Sequence, residues 1–151
     1  MRFRTQPVFL KGLAVLFLIG CSMSVLPGYI PDRHPYTQRL YFDYSSTLKA
    51  VKESLAEHHW RIAQSQDPST FEHTAGESYN NQIFIITEPR GAVFGGARAV
   101  LNVILRSSER VTDVEIRYRA ASKTPFKKLK DYRDDALVKE LFQSIEQRLK
   151  K

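Results

Sequence analysis

The chain has 151 residues, 42% hydrophobic and 26% charged, which is typical of a folded protein with one core and excludes a disordered or fibrous chain. The formal net charge is +7, but three basic residues, Arg2, Arg4 and Lys11, lie near the start, and the remaining 20 basic and 16 acidic residues give only +4. That excess is too small for a nucleic-acid-binding surface, and the single cysteine, Cys21, excludes an intramolecular disulfide.

Residues 1–20 have the layout of an export signal. The three basic residues come first, and the apolar segment GLAVLFLIG follows at positions 12–20. This segment is far shorter than the roughly 20 residues that a transmembrane helix needs. The alternative is that Cys21 is an ordinary apolar residue at the end of an uncleaved membrane anchor.

The end of this segment, Leu18-Ile19-Gly20-Cys21, resembles the lipobox of bacterial lipoproteins. The resemblance implies a diacylglyceryl group on the Cys21 sulfur, cleavage between Gly20 and Cys21, and usually a further acyl chain on the new amino terminus. Two or three acyl chains would make a stable membrane anchor. Ser22 follows the cysteine. In related lipoproteins an Asp at this position favours retention in the inner membrane, so the resemblance implies an outer-membrane lipoprotein that faces the periplasm.

Residues 21–37 are predicted to be a tether. Pro27, Pro31 and Pro35 interrupt any helix and leave too few residues for a central strand. An extended proline-containing segment of this length reaches up to ~50 Å. The alternative is that Tyr29, Ile30 and Tyr36 pack on a partner or on the domain itself.

The globular domain is predicted to span residues 38–151 and to begin with a strand, since apolar and polar residues alternate over 39–44. A helix follows, with a start capped by Ser45, Ser46 or Thr47 and an end near His58 and His59. Trp60 and Ile62 open a second strand that runs to a turn at Asp67-Pro68, with a continuation around Phe71, and another strand is predicted over 82–88.

Two longer strands follow. The first places Ala99, Leu101, Val103 and Leu105 on one face, and the second places Val114, Ile116, Tyr118 and Ala120 opposite Asp113, Glu115, Arg117 and Arg119. A hairpin loop over 107–110 connects them. A helix over 131–150 closes the chain, with an apolar stripe and acidic and basic residues at the favourable ends.

These elements predict a single α+β domain: a strand, a helix, three or four antiparallel strands and a helix, with both helices packed on one sheet face. Over residues 38–151, this order is similar to that of the helix-grip domains of the outer-membrane assembly lipoprotein BamC, which has two such domains. The resemblance covers the order of elements and carries over no functional residue.

No motif indicates catalysis. The sequence has no nucleophile elbow, H-E-x-x-H, C-x-x-C or phosphate-binding loop, so we expect a non-catalytic protein without a cofactor other than the lipid on Cys21. His58 and His59 are adjacent and therefore point in different directions on a helix, so no metal site is predicted. Gly91 to Arg98 precede a strand rather than a helix, which argues against nucleotide binding.

Two segments are candidate contact sites. The glycine-rich loop 91–98 contains Val93 and Phe94, which either fold inward or form an exposed apolar tip that docks on a partner or a membrane. The densest basic region is either a solvated surface or a contact for an anionic partner; its candidate residues are Arg117, Arg119, Lys123, Lys127, Lys128 and Lys130.

The leading functional hypothesis is a non-catalytic accessory or structural subunit of a cell-envelope assembly or secretion complex, anchored at the outer membrane through Cys21. An edge strand, the glycine-rich loop or the basic region would recognise the protein partner. The alternative is a binding or carrier protein for an anionic lipid or glycan of the envelope.

Overall fold

The computed structural model describes residues 28–31, 35–70, 79–91, 97–122 and 130–151. Within them the elements are, in chain order, β1 (Tyr36–Leu40), α1 (Tyr44–Glu57), β2 (Ile62–Gln66), a 3-10 turn (Pro68–Thr70), β3 (Asn81–Thr87), β4 (Arg90–Gly91), β5 (Ala97–Ser108), β6 (Val111–Ser122), β7 (Lys130–Asp131) and α2 (Asp135–Leu149). The predicted α+β domain is confirmed, with four antiparallel strands between the helices and the two short strands β4 and β7 in addition.

The strands form one antiparallel sheet. Its order is β1-β6-β5-β3-β2, with β4 paired to β5 and β7 paired to β6. Strands β5 and β6 are its centre, and each is twelve residues long. They meet in a turn at Glu109 and Arg110, where Glu109 has a φ of 56°, so the predicted loop over 107–110 is shorter than expected because the ladder continues to the Ser108–Val111 pair.

Both helices pack on one face of the sheet, as predicted. The residues that alternate toward this face on the two central strands are buried against apolar residues of both helices; they include Leu101, Val103, Leu105, Val114 and Ile116 from the sheet and Val51, Leu55, Val138, Leu141 and Ile145 from the helices. Each such side chain contributes about 1.5–3 kcal/mol when it leaves water. This helix-side core is therefore the main source of stability.

The helix starts differ from the predicted positions. Asp43, rather than a serine, caps α1: its carboxylate accepts a hydrogen bond from the backbone N–H of Ser46 at 2.9 Å and from the Ser45 hydroxyl at 2.7 Å. Strand β1 ends at Leu40, before this cap. The strand predicted from the alternation over 39–44 was therefore wrong beyond Leu40. Asp134 caps α2 in the same way, through the N–H of Leu137 at 3.1 Å.

The second strand also begins later than predicted. Trp60 is 3% exposed and belongs to the helix-side core, while β2 starts at Ile62. The left-handed backbone of His59, with a φ of 59°, turns the chain out of α1 before this residue. The predicted continuation around Phe71 lies outside the described residues.

A polar cluster joins the two helices. The Ser144 hydroxyl lies 2.9 Å from the Ser54 hydroxyl and 2.8 Å from the Glu57 carboxylate, and Arg148 donates to Glu57 at 2.8 Å. Hydrogen bonds from Arg148 and then Ser144 lower the pKa of the Glu57 carboxyl. The cluster fixes the contact between the helices at the end of α1.

Candidate functional site

Most of the predicted contact residues lie outside the described part of the chain. These are Gly20 and Cys21 of the lipobox, Val93 and Phe94 of the glycine-rich loop, and Lys123, Lys127 and Lys128 of the basic region. Lys130 is described as a backbone position only, in β7, where it pairs with Ala121.

The strand register nevertheless brings the flanks of both segments together. Gly91 pairs with Arg98, and Ala97 pairs with Ser122 at the same end of the central hairpin. The chain therefore enters and leaves segments 92–96 and 123–129 at one end of the sheet, opposite the Glu109–Arg110 turn. Sequence alone treated these segments as separate features, because the pairing that joins their flanks depends on the register of β5 and β6.

The sheet face away from the helices, here called the open face, carries a second apolar cluster. Its buried members are Phe84 and Ile86 of β3, Val100 and Ile104 of β5, and Ile30. Ile30 has no solvent exposure, so residues 28–31, here called the strap, are part of the domain. The prediction of a tether over 21–37 was thus wrong for residues 28–31 and for Tyr36 and Thr37, which belong to β1. For these residues the alternative, in which Tyr29, Ile30 and Tyr36 pack on the domain, is correct.

The side chain of Asn102 holds the strap by its backbone. Its Oδ1 accepts a hydrogen bond from the N–H of Ile30 at 2.7 Å, and its Nδ2 donates to the carbonyl of Gly28 at 3.0 Å. Asn102 is itself fully buried at the centre of β5. The amide therefore gives a partner to the buried N–H of Ile30 and to the partly buried carbonyl of Gly28, and its own polar atoms are satisfied in return.

The residues on either side of this clamp fit the sheet closely. Gly28 has a φ of +86°, and a Cβ at this position would lie 2.8 Å from Cγ2 of Ile86. The Tyr29 ring lies 5.9 Å from the Phe84 ring at an angle of 46°. Glycine is thus required at 28 both by its backbone conformation and by the close approach to the sheet.

Arg117, predicted to contact an anionic partner, is instead buried beneath the strap. Its Nη1 donates to the carbonyl of Ile30 at 3.1 Å, and its guanidinium lies 6.0 Å from the centre of the Tyr29 ring. Its Nε also contacts Glu115 at 2.5 Å, and Arg106 contacts the other oxygen of Glu115 at 2.8 Å. Arg117 therefore supports the strap, and the anionic contact proposed from the sequence does not include it.

Arg119 lies next along the same face and is partly exposed. Its cross-strand neighbour is Val100, and Arg98 in the adjacent row is exposed. Neither guanidinium has a hydrogen bond or ion pair with the residues that the structure describes. Of the predicted basic residues, Arg119 is thus the one whose described side chain remains accessible to an anionic partner.

A cleft of about 300 Å³ lies on the helix side of the sheet. Its lining includes Trp60, Arg90, Tyr118 and Leu137. The Arg90 guanidinium lies 5.3 Å from the centre of the Trp60 ring, and Arg90 donates to the carbonyl of His58 at 2.6 Å. Burial is the main reason that the pKa of the Tyr118 hydroxyl is raised, so this group stays protonated as a donor.

The described residues contain no cluster of three or more potential metal ligands. Neither helix in the described ranges has the length and apolar character needed to cross a bilayer.

Comparison with known proteins does not place the chain in a family. No protein-family model and no curated protein matches it. Among solved structures, a crystal structure of a 4-hydroxybenzoyl-CoA thioesterase mutant complexed with 4-hydroxybenzoyl-CoA aligns with 71% of this chain and 98% of its own, at 8% identity. The TM-score of that alignment is 0.15, which is too low to indicate a shared fold.

Proposed function

We propose that this chain is an outer-membrane lipoprotein, anchored through acyl chains on Cys21, which serves as a non-catalytic accessory or structural subunit of a cell-envelope assembly or secretion complex. The observation that carries the proposal is the leader: basic residues, an uninterrupted apolar segment over 12–20, and Gly20 before the sole cysteine. Lipid on Cys21 would keep the domain on the periplasmic side of the membrane.

The described domain offers edges that suit a partner protein. Strand β1 pairs with β6 on one side and β2 pairs with β3 on one side, and neither has a second strand partner among the described residues. Such edges present backbone donors and acceptors, and a strand of a partner could extend the sheet there. The five-residue lengths of β1 and β2 suit a short recognition segment.

Several serines and the buried acid Glu115 have structural roles, which supports a non-catalytic function. The Ser45 hydroxyl bonds to the Asp43 cap, and Ser54 and Ser144 link the helices. Glu115, the most buried acid of the open face, is engaged by two arginines. These contacts account for each group through packing and capping.

A second candidate function is binding of an anionic lipid or glycan, and the helix-side cleft favours it. The largely buried side chains of Trp60 and Tyr118 line it, and the Arg90 guanidinium supplies positive charge. A ligand in the cleft would find a mostly apolar wall with the Arg90 guanidinium and the Asp134 carboxyl group, and an apolar wall with a few polar groups is the usual composition of a small-molecule site.

The anchor is tested by mass spectrometry of the amino-terminal peptide from the membrane fraction. We expect a peptide that begins at Cys21 and carries acyl chains, and we expect a Cys21→Ser variant to lose that mass and its membrane partitioning. An unchanged mass and unchanged partitioning in Cys21→Ser would contradict the proposal.

The role of the domain is tested by mild crosslinking in cells followed by purification. A subunit should bring down the same protein partners reproducibly, and the exposed Thr37 in β1 is a suitable site for a photoreactive residue. Recovery of lipid or glycan alone would favour the second candidate function.

A further inference from the structure

We propose that the open face of the sheet is the surface that this domain presents to a bilayer with anionic head groups, and that the strap holds it there. The inference rests on the lipid anchor at Cys21 and adds the orientation of the domain and the residues that contact the lipid. Three observations support this orientation: the position of the strap, the length of chain before it and the distribution of charge over the two faces.

The strap fixes where the anchored chain meets the domain. Ile30 is buried in the apolar cluster of the open face, and the side chains of Asn102 and Arg117 both form hydrogen bonds with the strap backbone. The chain that comes from Cys21 therefore joins the domain on the open face, on the side away from both helices.

The length of chain before the strap limits how the domain can sit. Gly28 is seven residues after Cys21, and a fully extended chain spans at most about 3.6 Å per residue, so the open face lies within roughly 25 Å of the lipid-bearing residue. To turn the helices toward the bilayer, this segment would have to pass around the sheet edge and across a helix layer about 10 Å thick. The short connection thus favours an orientation with the open face toward the lipid.

The net charges of the open face and of the helix layer favour the same orientation. On the open face, strands β1, β5 and β6 carry five arginines and two acids, a net charge of +3; these residues are Arg39, Arg98, Arg106, Arg117, Arg119, Asp113 and Glu115. The helices α1 and α2 carry four basic and five acidic residues, a net charge of −1. An anionic surface attracts the open face and not the helix layer.

Arg98 and Arg119 are the residues assigned to the head groups. Arg98 is exposed, Arg119 is partly exposed, and no described residue neutralises either of them. Arg39 on the same face is already paired with Asp113 at 2.8 Å, and Arg106 and Arg117 share Glu115. The two unpaired guanidinium groups are thus the ones that gain most from a phosphate.

The experiment measures the orientation of the lipidated protein in vesicles. The chain has one cysteine, and its sulfur is occupied by lipid in the mature protein, so a single introduced cysteine can be labelled alone. A fluorophore at Thr37→Cys reports the open face, and one at Lys139→Cys on α2 is the matched control; both positions are exposed. The vesicles contain phosphatidylcholine with or without phosphatidylglycerol, and a quencher is attached to the head groups.

In vesicles with phosphatidylglycerol, we expect stronger quenching at Thr37→Cys than at Lys139→Cys. One charge near an anionic surface favours the facing orientation by about fivefold, so the double variant Arg98→Ser, Arg119→Ser should lower the ratio of facing to averted molecules by roughly 30-fold at low salt. The matched double variant Lys49→Ser, Lys52→Ser on α1 should leave it unchanged. Ile30→Ala, which weakens the strap, should reduce the difference between the labels, and Ile62→Ala should not.

Equal quenching at the two labels, or quenching that ignores both phosphatidylglycerol and the two arginines, would overturn this inference while the anchor stands. If the protein carries no lipid and stays out of the vesicles, the anchor and the orientation fail together. Crosslinks from positions 98 and 119 to a protein rather than to lipid would also overturn the proposed orientation.

Discussion

Shortening Ile30 to alanine tests the claim that the strap belongs to the domain. Ile30 has no solvent exposure and packs against Phe84, Ile86, Val100 and Ile104. Ile→Ala changes in rigid cores cost about 2–5 kcal/mol through lost burial and the cavity that remains. Because no strap residue belongs to the helix-side core, we expect the strap to undock while that core stays intact, and we therefore expect the low end of that range, about 2 kcal/mol, for strap docking.

A change of about 2 kcal/mol corresponds to roughly a 30-fold rise in the population of molecules with an undocked strap. The readout is hydrogen exchange at the N–H of Ile30 or its replacement, since that N–H is protected by Asn102 at 2.7 Å. Exchange there should accelerate about 30-fold in Ile30→Ala, while the N–H groups of β5 and β6 should keep their protection.

The control is Ile62→Ala, which removes the same atoms from a side chain that is 37% exposed at the outer strand β2. It should leave exchange in the strap unchanged. If Ile30→Ala exchanges like the parent, the strap is not docked in solution, and if β5 and β6 lose protection in parallel, the strap is not separable from the sheet.

Three further predictions concern the strap and the helix caps. Gly28→Ala should undock the strap, since its φ of +86° and the 2.8 Å approach to Ile86 admit no Cβ, and chymotrypsin should then cleave after Tyr29 faster than in the parent. Asn102→Leu leaves the N–H of Ile30 and the carbonyl of Gly28 without partners and should lower the free energy of unfolding in urea by about 1–3 kcal/mol, whereas an unchanged urea midpoint would refute the clamp. Hydrogen bonds from Ser46 and Ser45 hold the pKa of the Asp43 carboxyl far below its ordinary value. The unfolded chain therefore binds more protons, and the free energy of unfolding should fall as the pH drops below about 4. Asp43→Asn should flatten the dependence of Tm on pH, and equal slopes in the two proteins would contradict this cause.

The helix-side core could be predicted from sequence because each element shows its own period. Leu101, Val103 and Leu105 alternate along one strand, and Val51 and Leu55 recur along a helix, so each pattern identifies its buried face without knowledge of the partner. The exact helix starts could not, because Asp43 and Ser45 are both good caps and the choice depends on which oxygen reaches the Ser46 N–H.

The open face was missed because its parts lie about 70 residues apart. The strap precedes the first strand, and the prolines around it predict an extended tether regardless of what it contacts. A signal was present: Val100 and Ile104 are apolar on the face opposite the core, which a strand with one solvated face does not require. Arg117 was likewise expected on a surface that is either solvated or in contact with an anionic partner, because alternation gives the face of a side chain but not what covers it.

The buried charges beneath the strap have ion-pair partners within the sheet itself. Glu115 pairs with Arg106 and Arg117, and neither ion pair includes a strap residue, so we expect the carboxylate to keep both partners when the strap undocks. The strap adds a carbonyl to Arg117 and an apolar side chain beside it, and its departure would return one arginine to water rather than strand an unpaired charge. Undocking would remove the burial of Ile30, the contacts of the Tyr29 ring with Phe84 and Arg117, and the hydrogen bonds to the strap backbone, which are a small part of the interactions in the domain. With the proposed anchor at Cys21, docking of the four strap residues would limit the distance between the sheet and the membrane, and their undocking would lengthen the connecting chain without unfolding the helix-side core.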